Sequence, residues 1–155
     1  MLNSKTMLIA AMSGMLAVAG CQTSAVDGTR TTAIGAMMQP GARDLAEGKS
    51  HFRQANYGLA ERHFRKAVEL NADDAEGWLG LAASYDQLGR FDFADRAYGQ
   101  LLKLAGRKPQ VVNNLGYSYL LRGDEAKARE LLLEARAGMT DTTVVDANLA
   151  LLDKV

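Results

Sequence analysis

From Gly41 onward, apolar residues fall at helical spacing, and the whole pattern then repeats. Each block holds two apolar-periodic stretches separated by a short polar break, which predicts a pair of helices joined by a turn. Blocks starting at Gly41, Ala75 and Pro109 align without gaps, each start 34 residues after the last. The breaks fall at Asn56, at Leu88-Gly89-Arg90 and at Arg122-Gly123-Asp124. Alanine recurs at the twentieth position of each block, as Ala60, Ala94 and Ala128. Phe64, Tyr98 and Leu132 follow four residues later, and Ala67, Leu101 and Ala135 three beyond those. In the first half of each block, Gly48, Ala82 and Gly116 stand at the eighth position and His51, Tyr85 and Tyr119 at the eleventh. Small residues at fixed places let paired helices approach closely, and the large ones beside them fill the space left. One helix pair cannot bury its own face, so the pairs are expected to stack into a short all-α solenoid.

The helix boundaries are legible as well. Asp74 is placed to cap a helix beginning at Ala75, which also accounts for the Asp73-Asp74 pair, and Pro109 suits a first helical turn. Thr143 with Asp146 three later reads as a weak capping box. The middle block carries Trp78, Leu81 and Tyr85 at the spacing W-x₂-L-x₃-Y, and with the period of 34 this resembles the tetratricopeptide repeat. The resemblance implies repeats at 41–74, 75–108 and 109–142, with a capping helix at 143–153 where Asn148 and Leu149 restate Asn114 and Leu115. The usual late proline of the repeat is missing; Ala72, Gly106 and Thr140 stand there. Asp44 and Glu47 occupy places where large apolar residues are expected, so the first pair is predicted to be frayed or partly exposed.

The N-terminus has another character. Lys5, the apolar run Met7 to Val18, then Ala19 and Gly20 have the layout of a secretory signal peptide, too short for a comfortable membrane span. Val18-Ala19-Gly20-Cys21 resembles the bacterial lipobox, which implies a signal peptide over 1–20 and a diacylglycerol thioether with an acylated amine on Cys21. Several acyl chains at about 0.8 kcal/mol per buried CH₂ make a stable anchor. By the same resemblance, Gln22 rather than Asp after the cysteine points to the outer membrane, facing the periplasm. Residues 21–41, rich in Thr, Ser, Gly and Ala, read as a flexible tether of about 25 Å root-mean-square span. The short apolar cluster Ile34 to Met38 interrupts it.

Composition narrows the function classes. The chain has 155 residues, with 18 Lys and Arg balanced by 18 Asp and Glu, so no bulk charge draws it to nucleic acid. A single cysteine excludes an intramolecular disulfide framework and a cysteine-only metal site. No phosphate-binding loop is present, since Gly77 and Gly80 sit within a helical pattern and lack a following Lys-Ser/Thr. The charged run Asp124 to Glu130 reads as a solvated helix face. His51 and His63 fall on opposing helices of the first pair, where a packing and a surface role are expected; a shared metal site is the weaker alternative. The chain is therefore expected to be no enzyme, with no catalytic residue, metal or cofactor beyond the lipid on Cys21.

In the family, inner-helix positions two, five, six, nine, twelve and thirteen line a concave surface that binds partners. Carried onto this sequence, they give Leu45, Lys49, Phe52 and Arg53 in the first repeat. They give Leu79, Ala83, Asp86 and Gln87 in the second, and Asn113, Asn114, Tyr117, Leu120 and Leu121 in the third. The mixture suits a peptide or helix laid in a groove. An amide side chain both donates and accepts, so Asn113 and Asn114 can pair with a peptide backbone of any sequence. The competing role is structural: Asn114 and Asn148 tying adjacent repeats through backbone hydrogen bonds. Lys49 and Arg53 are the only inner-helix cations in the set, too few for a clamp on a terminal carboxylate.

The run VVNNLGYSYLLRGDEAKARELLLEA, with VVDANLALL one period later, resembles the TadD family of Flp (tight-adherence) pilus assembly lipoproteins. That implies an outer-membrane-anchored scaffold whose partners are a secretin or other pilus-assembly components. An adaptor for peptidoglycan enzymes of the periplasm is the alternative.

Overall fold

The computed structural model describes residues 39–153, so the expected signal peptide, Cys21 and nearly all of the tether lie outside the described residues. The described residues form seven helices and no strand: α1 (Ala42–Arg53), α2 (Tyr57–Leu70), α3 (Ala75–Gln87), α4 (Phe91–Ala105), α5 (Pro109–Leu121), α6 (Glu125–Ala137) and α7 (Thr143–Leu152). Successive helices pack as antiparallel hairpins, while α1, α3, α5 and α7 also touch one another in order. The result is the expected solenoid, with these four helices as its inner layer and α2, α4 and α6 outside.

The repeating small residues do what their spacing requires. Ala60, Ala94 and Ala128 are fully buried where inner and outer helices cross. A Cβ on Gly48 would lie 2.8 Å from the Phe64 ring, and one on Gly116 would lie 2.9 Å from Leu132. The eighth position thus faces the twenty-fourth, and a glycine there lets the backbone come against a large partner. The core forms two clusters. Phe64, Leu81, Tyr85, Tyr98 and Leu101 centre the first, and Val112, Leu131, Leu132 and Val145 the second; Leu115 packs against both.

The three hairpin turns share one geometry. Asn56, Arg90 and Asp124 each donate an N–H over 2.9 Å to the carbonyl five residues back, at His51, Tyr85 and Tyr119. That is the long bond of a Schellman ending, and it needs a left-handed residue just before the donor. Gly89 (φ 67°) and Gly123 (φ 81°) supply it, whereas in the first repeat Ala55 is forced to φ 58°.

Helix starts follow expectation in two places and depart in one. Asp74 Oδ1 accepts from the N–H groups of Glu76 (3.0 Å) and Gly77 (3.1 Å), and Pro109 opens α5. The Thr143–Asp146 capping box does not form. Thr143 lies inside α7 and Thr142 is the cap residue with no side-chain bond; Asp141 Oδ1 takes the Thr143 N–H instead, at 2.9 Å. Asp146 pairs with Arg136 Nε at 2.7 Å. The first helix pair is not frayed. α1 is a complete helix against α2, and Asp44 meets His63 Nδ1 at 3.1 Å rather than facing the core. Partial exposure does hold, since Gly48 is the only buried residue of α1.

Candidate functional site

The inner layer encloses a cavity of about 300 Å³ where α1, α3 and α5 meet. Lys49, Phe52 and Arg53 reach it from the last turns of α1, Leu79 and Ala83 from α3, and Asn114 from α5. Six of the expected groove residues are thus brought to one place. Three further lining residues were not singled out in the sequence: Glu76, Gly80 and Phe64. Glu76 and Gly80 hold the second and sixth positions of their repeat, so the register rule already pointed at them. Phe64 belongs to the outer helix and shows only as core; it reaches the groove because Gly80 lacks a side chain, and a Cβ there would stand 2.4 Å from the ring.

The groove is apolar at its base and charged at its lip. Lys49 Nζ and Glu76 Oε1 pair at 2.6 Å across α1 and α3, both about half exposed. Such a pair contributes at most about 1 kcal/mol, so a partner that competes for either end loses little by opening it. Arg53 is exposed and makes no ion pair among the described residues.

A second cavity of about 370 Å³ lies further along, between α5 and the turn leading into α7. Gln110, Asn113 and Asn114 form one wall, and Met139, Thr140, Asp141 and Val144 the other. Asn114 borders both cavities. Its Nδ2 donates to the Gln110 carbonyl at 2.7 Å, one turn back on its own helix, and among the described residues its Oδ1 accepts nothing. The Asn114 backbone carbonyl accepts from Tyr98 Oη at 3.2 Å, which fixes this turn of α5 against α4.

Two expected groove residues do other work. Asn113 is only 6% exposed, and its Oδ1 accepts from Asn148 Nδ2 at 3.1 Å. The amide tie between adjacent repeats therefore exists, but it runs through the Asn113 side chain rather than through Asn114 or the backbone. Asp86 is 5% exposed and faces α4 and α5 instead of the groove. Its Oδ2 accepts from Tyr98 Oη at 3.0 Å and its Oδ1 from Ser118 Oγ at 2.6 Å. Arg122 Nη2 stands 3.8 Å from Oδ1 and donates to Ser118 Oγ at 2.7 Å, and the guanidinium holds Asp95 through Nη2 at 2.9 Å and Nη1 at 3.1 Å. Burial raises the Asp86 carboxyl above its ordinary range, opposed by the hydroxyls of Ser118 and Tyr98 and by the Arg122 charge. The last turn of an inner helix points toward the next repeat, so the twelfth position here builds a joint between repeats. Gln87, Tyr117, Leu120 and Leu121 are half-buried and lie outside the two cavities, with Leu120 packed on the second core cluster.

The two histidines stack, ring centroids 5.4 Å apart and 17° from parallel. Among the described residues, no group of three or more His, Cys, Asp or Glu is placed to hold a metal ion.

Comparison with known proteins agrees with this architecture. A family model described as tetratricopeptide repeat matches residues 45–94 and again 84–142. The cytochrome c-type biogenesis protein CycH of Pseudomonas aeruginosa is 31% identical over 111 residues, which are 68% of this chain and 27% of that protein, so the chain spans about a quarter of that relative. Among solved structures, PilF of Pseudomonas aeruginosa superposes with a TM-score of 0.63 at 24% identity, over 74% of this chain and 52% of that one. The Yersinia enterocolitica type III secretion chaperone SycD, in complex with a peptide of the translocator YopD, gives 0.60 at 19% identity, over 72% and 91%. At these identities the structural likeness is one of fold. Arrays of this kind typically act as scaffolds that bind protein partners, peptides among them. With both halves of its repeat region matched and the concave layer in place, the chain belongs to the tetratricopeptide-repeat family.

Proposed function

We propose that the chain is an outer-membrane lipoprotein, anchored through Cys21, whose groove holds a component of a Flp/Tad-type pilus, in the first place its secretin. The observation that carries the scaffold role is the cavity shared by α1, α3 and α5, where an apolar base, an amide at Asn114 and a cation at Arg53 converge. That mixture suits a short peptide segment with one or two buried side chains. The anchor rests on Val18-Ala19-Gly20-Cys21 after an apolar run, and the pilus assignment on the resemblance of the Val111 to Ala135 run to the TadD family. SycD, whose fold is similar, was solved in complex with a peptide of the translocator YopD, which supports a peptide-holding groove.

A second reading comes from the 31% identity to CycH: the same groove would then serve cytochrome c biogenesis. One experiment separates these readings. The chain is crosslinked mildly in its own cells and recovered from the membrane fraction, and the attached proteins are identified by mass spectrometry. Recovery of a secretin or pilus-assembly complex, lost on Arg53→Glu with Asn114→Ala, is the expected result. Recovery of cytochrome c biogenesis proteins instead would establish the second reading, and recovery of peptidoglycan enzymes would establish a cell-wall adaptor. For the anchor, labelled palmitate is expected to enter the wild-type chain and not Cys21→Ser.

A further inference from the structure

On the outer side of the array, a cavity of about 380 Å³ opens between α2 and α4. Trp78, Leu81 and Tyr85 of α3 face it, Phe93 and Arg96 of α4 form one wall, and Arg65 of α2 stands on the other. The polar atoms of the two α3 aromatics are already satisfied within the domain. Trp78 Nε1 donates to the Ala72 carbonyl at 2.8 Å, and Tyr85 Oη donates to Glu61 at 3.1 Å. What they offer the cavity is hydrocarbon. Phe93 is 48% exposed, with its ring centroid 5.3 Å from that of Tyr85 and the Arg96 guanidinium 5.0 Å over its face.

The repeat does not fix which residues stand at the positions of Phe93 and Arg96. One period on, Lys127 and Glu130 stand in place of Phe93 and Arg96 and pair with each other at 2.9 Å, and Val112 stands in place of Trp78. The third repeat thus carries a charged, self-paired pair at these positions and the first carries Leu59 and Arg62, so packing alone does not dictate an aromatic at Phe93. Charge says what kind of partner it fits. Arg65 pairs with Glu61 at 3.3 Å and Lys66 with Glu69 at 3.9 Å, so those charges cancel locally. Arg96 makes no ion pair among the described residues and leaves one net positive charge beside the apolar floor.

We infer that this outer cavity is a second docking site, separate from the concave groove, for a segment of a protein partner that inserts one large apolar side chain and sets a neighbouring carboxylate against Arg96. A phenylalanine or leucine on the partner would cover Trp78 and Phe93. The carboxylate would meet a guanidinium already held over an aromatic ring, so little side-chain freedom remains to be lost.

Trp78 is the only tryptophan in the chain, so its emission reads this cavity directly. The probe is an acetylated, amidated peptide with one phenylalanine between glutamates, titrated into the full chain. A saturable change in Trp78 emission is expected. It should weaken about tenfold or more for Arg96→Glu, less for Arg96→Gln, and be lost when alanine replaces the peptide phenylalanine. Asn114→Ala should leave it unchanged. Arg96 is exposed, and a circular dichroism spectrum matching wild type confirms that each variant is folded. The inference is overturned if lysines in place of the peptide glutamates bind equally well, or if no saturation appears at millimolar peptide. It is also overturned if Asn114→Ala abolishes the response while Arg96→Glu does not, which would put the peptide in the concave groove, or if phosphatidylglycerol vesicles replace the peptide as the only ligand.

Discussion

Asp86 sets a charge among groups that only partly compensate its burial. Because burial raises its folded pKa above the unfolded value near 3.8, the native state holds the proton more tightly than the unfolded chain does. Its contribution to stability is therefore fully present below the unfolded pKa and is lost as pH rises through the folded one. Asp86→Asn removes that titration while leaving the neighbours in place. Between about pH 3 and about pH 7, the melting temperature of wild type relative to Asp86→Asn is expected to fall steadily. A gap that widened in favour of wild type over the same range would mean that Arg122 outweighs burial. The two asparagines invite a sharper comparison. Asn113→Ala strands the Asn148 amide in a part-buried joint and should cost about 1–2 kcal/mol, lowering the melting temperature without needing a partner present. Asn114→Ala removes one bond within its own helix, so it should leave thermal stability nearly unchanged and weaken partner capture. If both lowered stability equally, the groove role of Asn114 would fall.

At the scale of the element, the hairpin turns show how far a 34-residue rule reaches. The sequence pattern marks all three breaks, and two of them carry the glycine that a left-handed ending needs. Ala55 takes the same conformation with a Cβ, at a cost of about 1–2 kcal/mol. Glycine there would also loosen the unfolded chain by about 0.5–1 kcal/mol, so Ala55→Gly should stabilise the domain modestly, by a few degrees in melting temperature. Gly89→Ala should do the reverse by a similar amount, since a Cβ there would meet nothing within 4 Å and adds only the left-handed strain. Differential scanning calorimetry of the pair checks both signs, and a destabilised Ala55→Gly would show that the Ala55 methyl packs usefully. The same rule explains which groove residues were legible. Positions two, five, six, nine, twelve and thirteen come from the family's register, and register fixes which side of a helix a residue occupies. It does not fix what lies opposite. Lys49, Phe52, Leu79, Ala83 and Asn114 border one cavity where α1, α3 and α5 meet. Asp86 faces Ser118, 32 residues away, which no local pattern announces; Asn148 was legible as a tie between repeats through the 34-residue period, but its partner, Asn113 at a separation of 35 rather than Asn114, was not. The Phe64 contribution was hidden for the same reason, since it depends on the absent side chain of Gly80 on a different helix.

At the scale of the whole molecule, each layer is held mainly by its neighbours, so stability divides into local cores and the joints between them. The joint between the second and third repeats is rich: Asp86, Tyr98, Ser118, Arg122 and Asp95 link α3, α4 and α5. Among the described residues the far end is covered by α7 alone, which buries Val145 and Leu152 against Leu131, Leu132 and Val112. Removing residues 143–155 would wet that second cluster while leaving the first, around Phe64 and Tyr98, with all its partners. Burying a single aliphatic side chain stabilises by about 1.5–3 kcal/mol, so losing two, and exposing their partners, would destabilise the third repeat by several kcal/mol. Trp78 packs against the first cluster and far-UV circular dichroism reports all helices, so the two signals watch different parts. In urea they should coincide for the full chain, since the polar joint couples the halves. After truncation, helix content should fall first and Trp78 emission should follow at higher denaturant. Coincident curves in the truncated chain would mean instead that the joint transmits the loss across the whole array, and that the repeats melt as one unit even with an end uncovered.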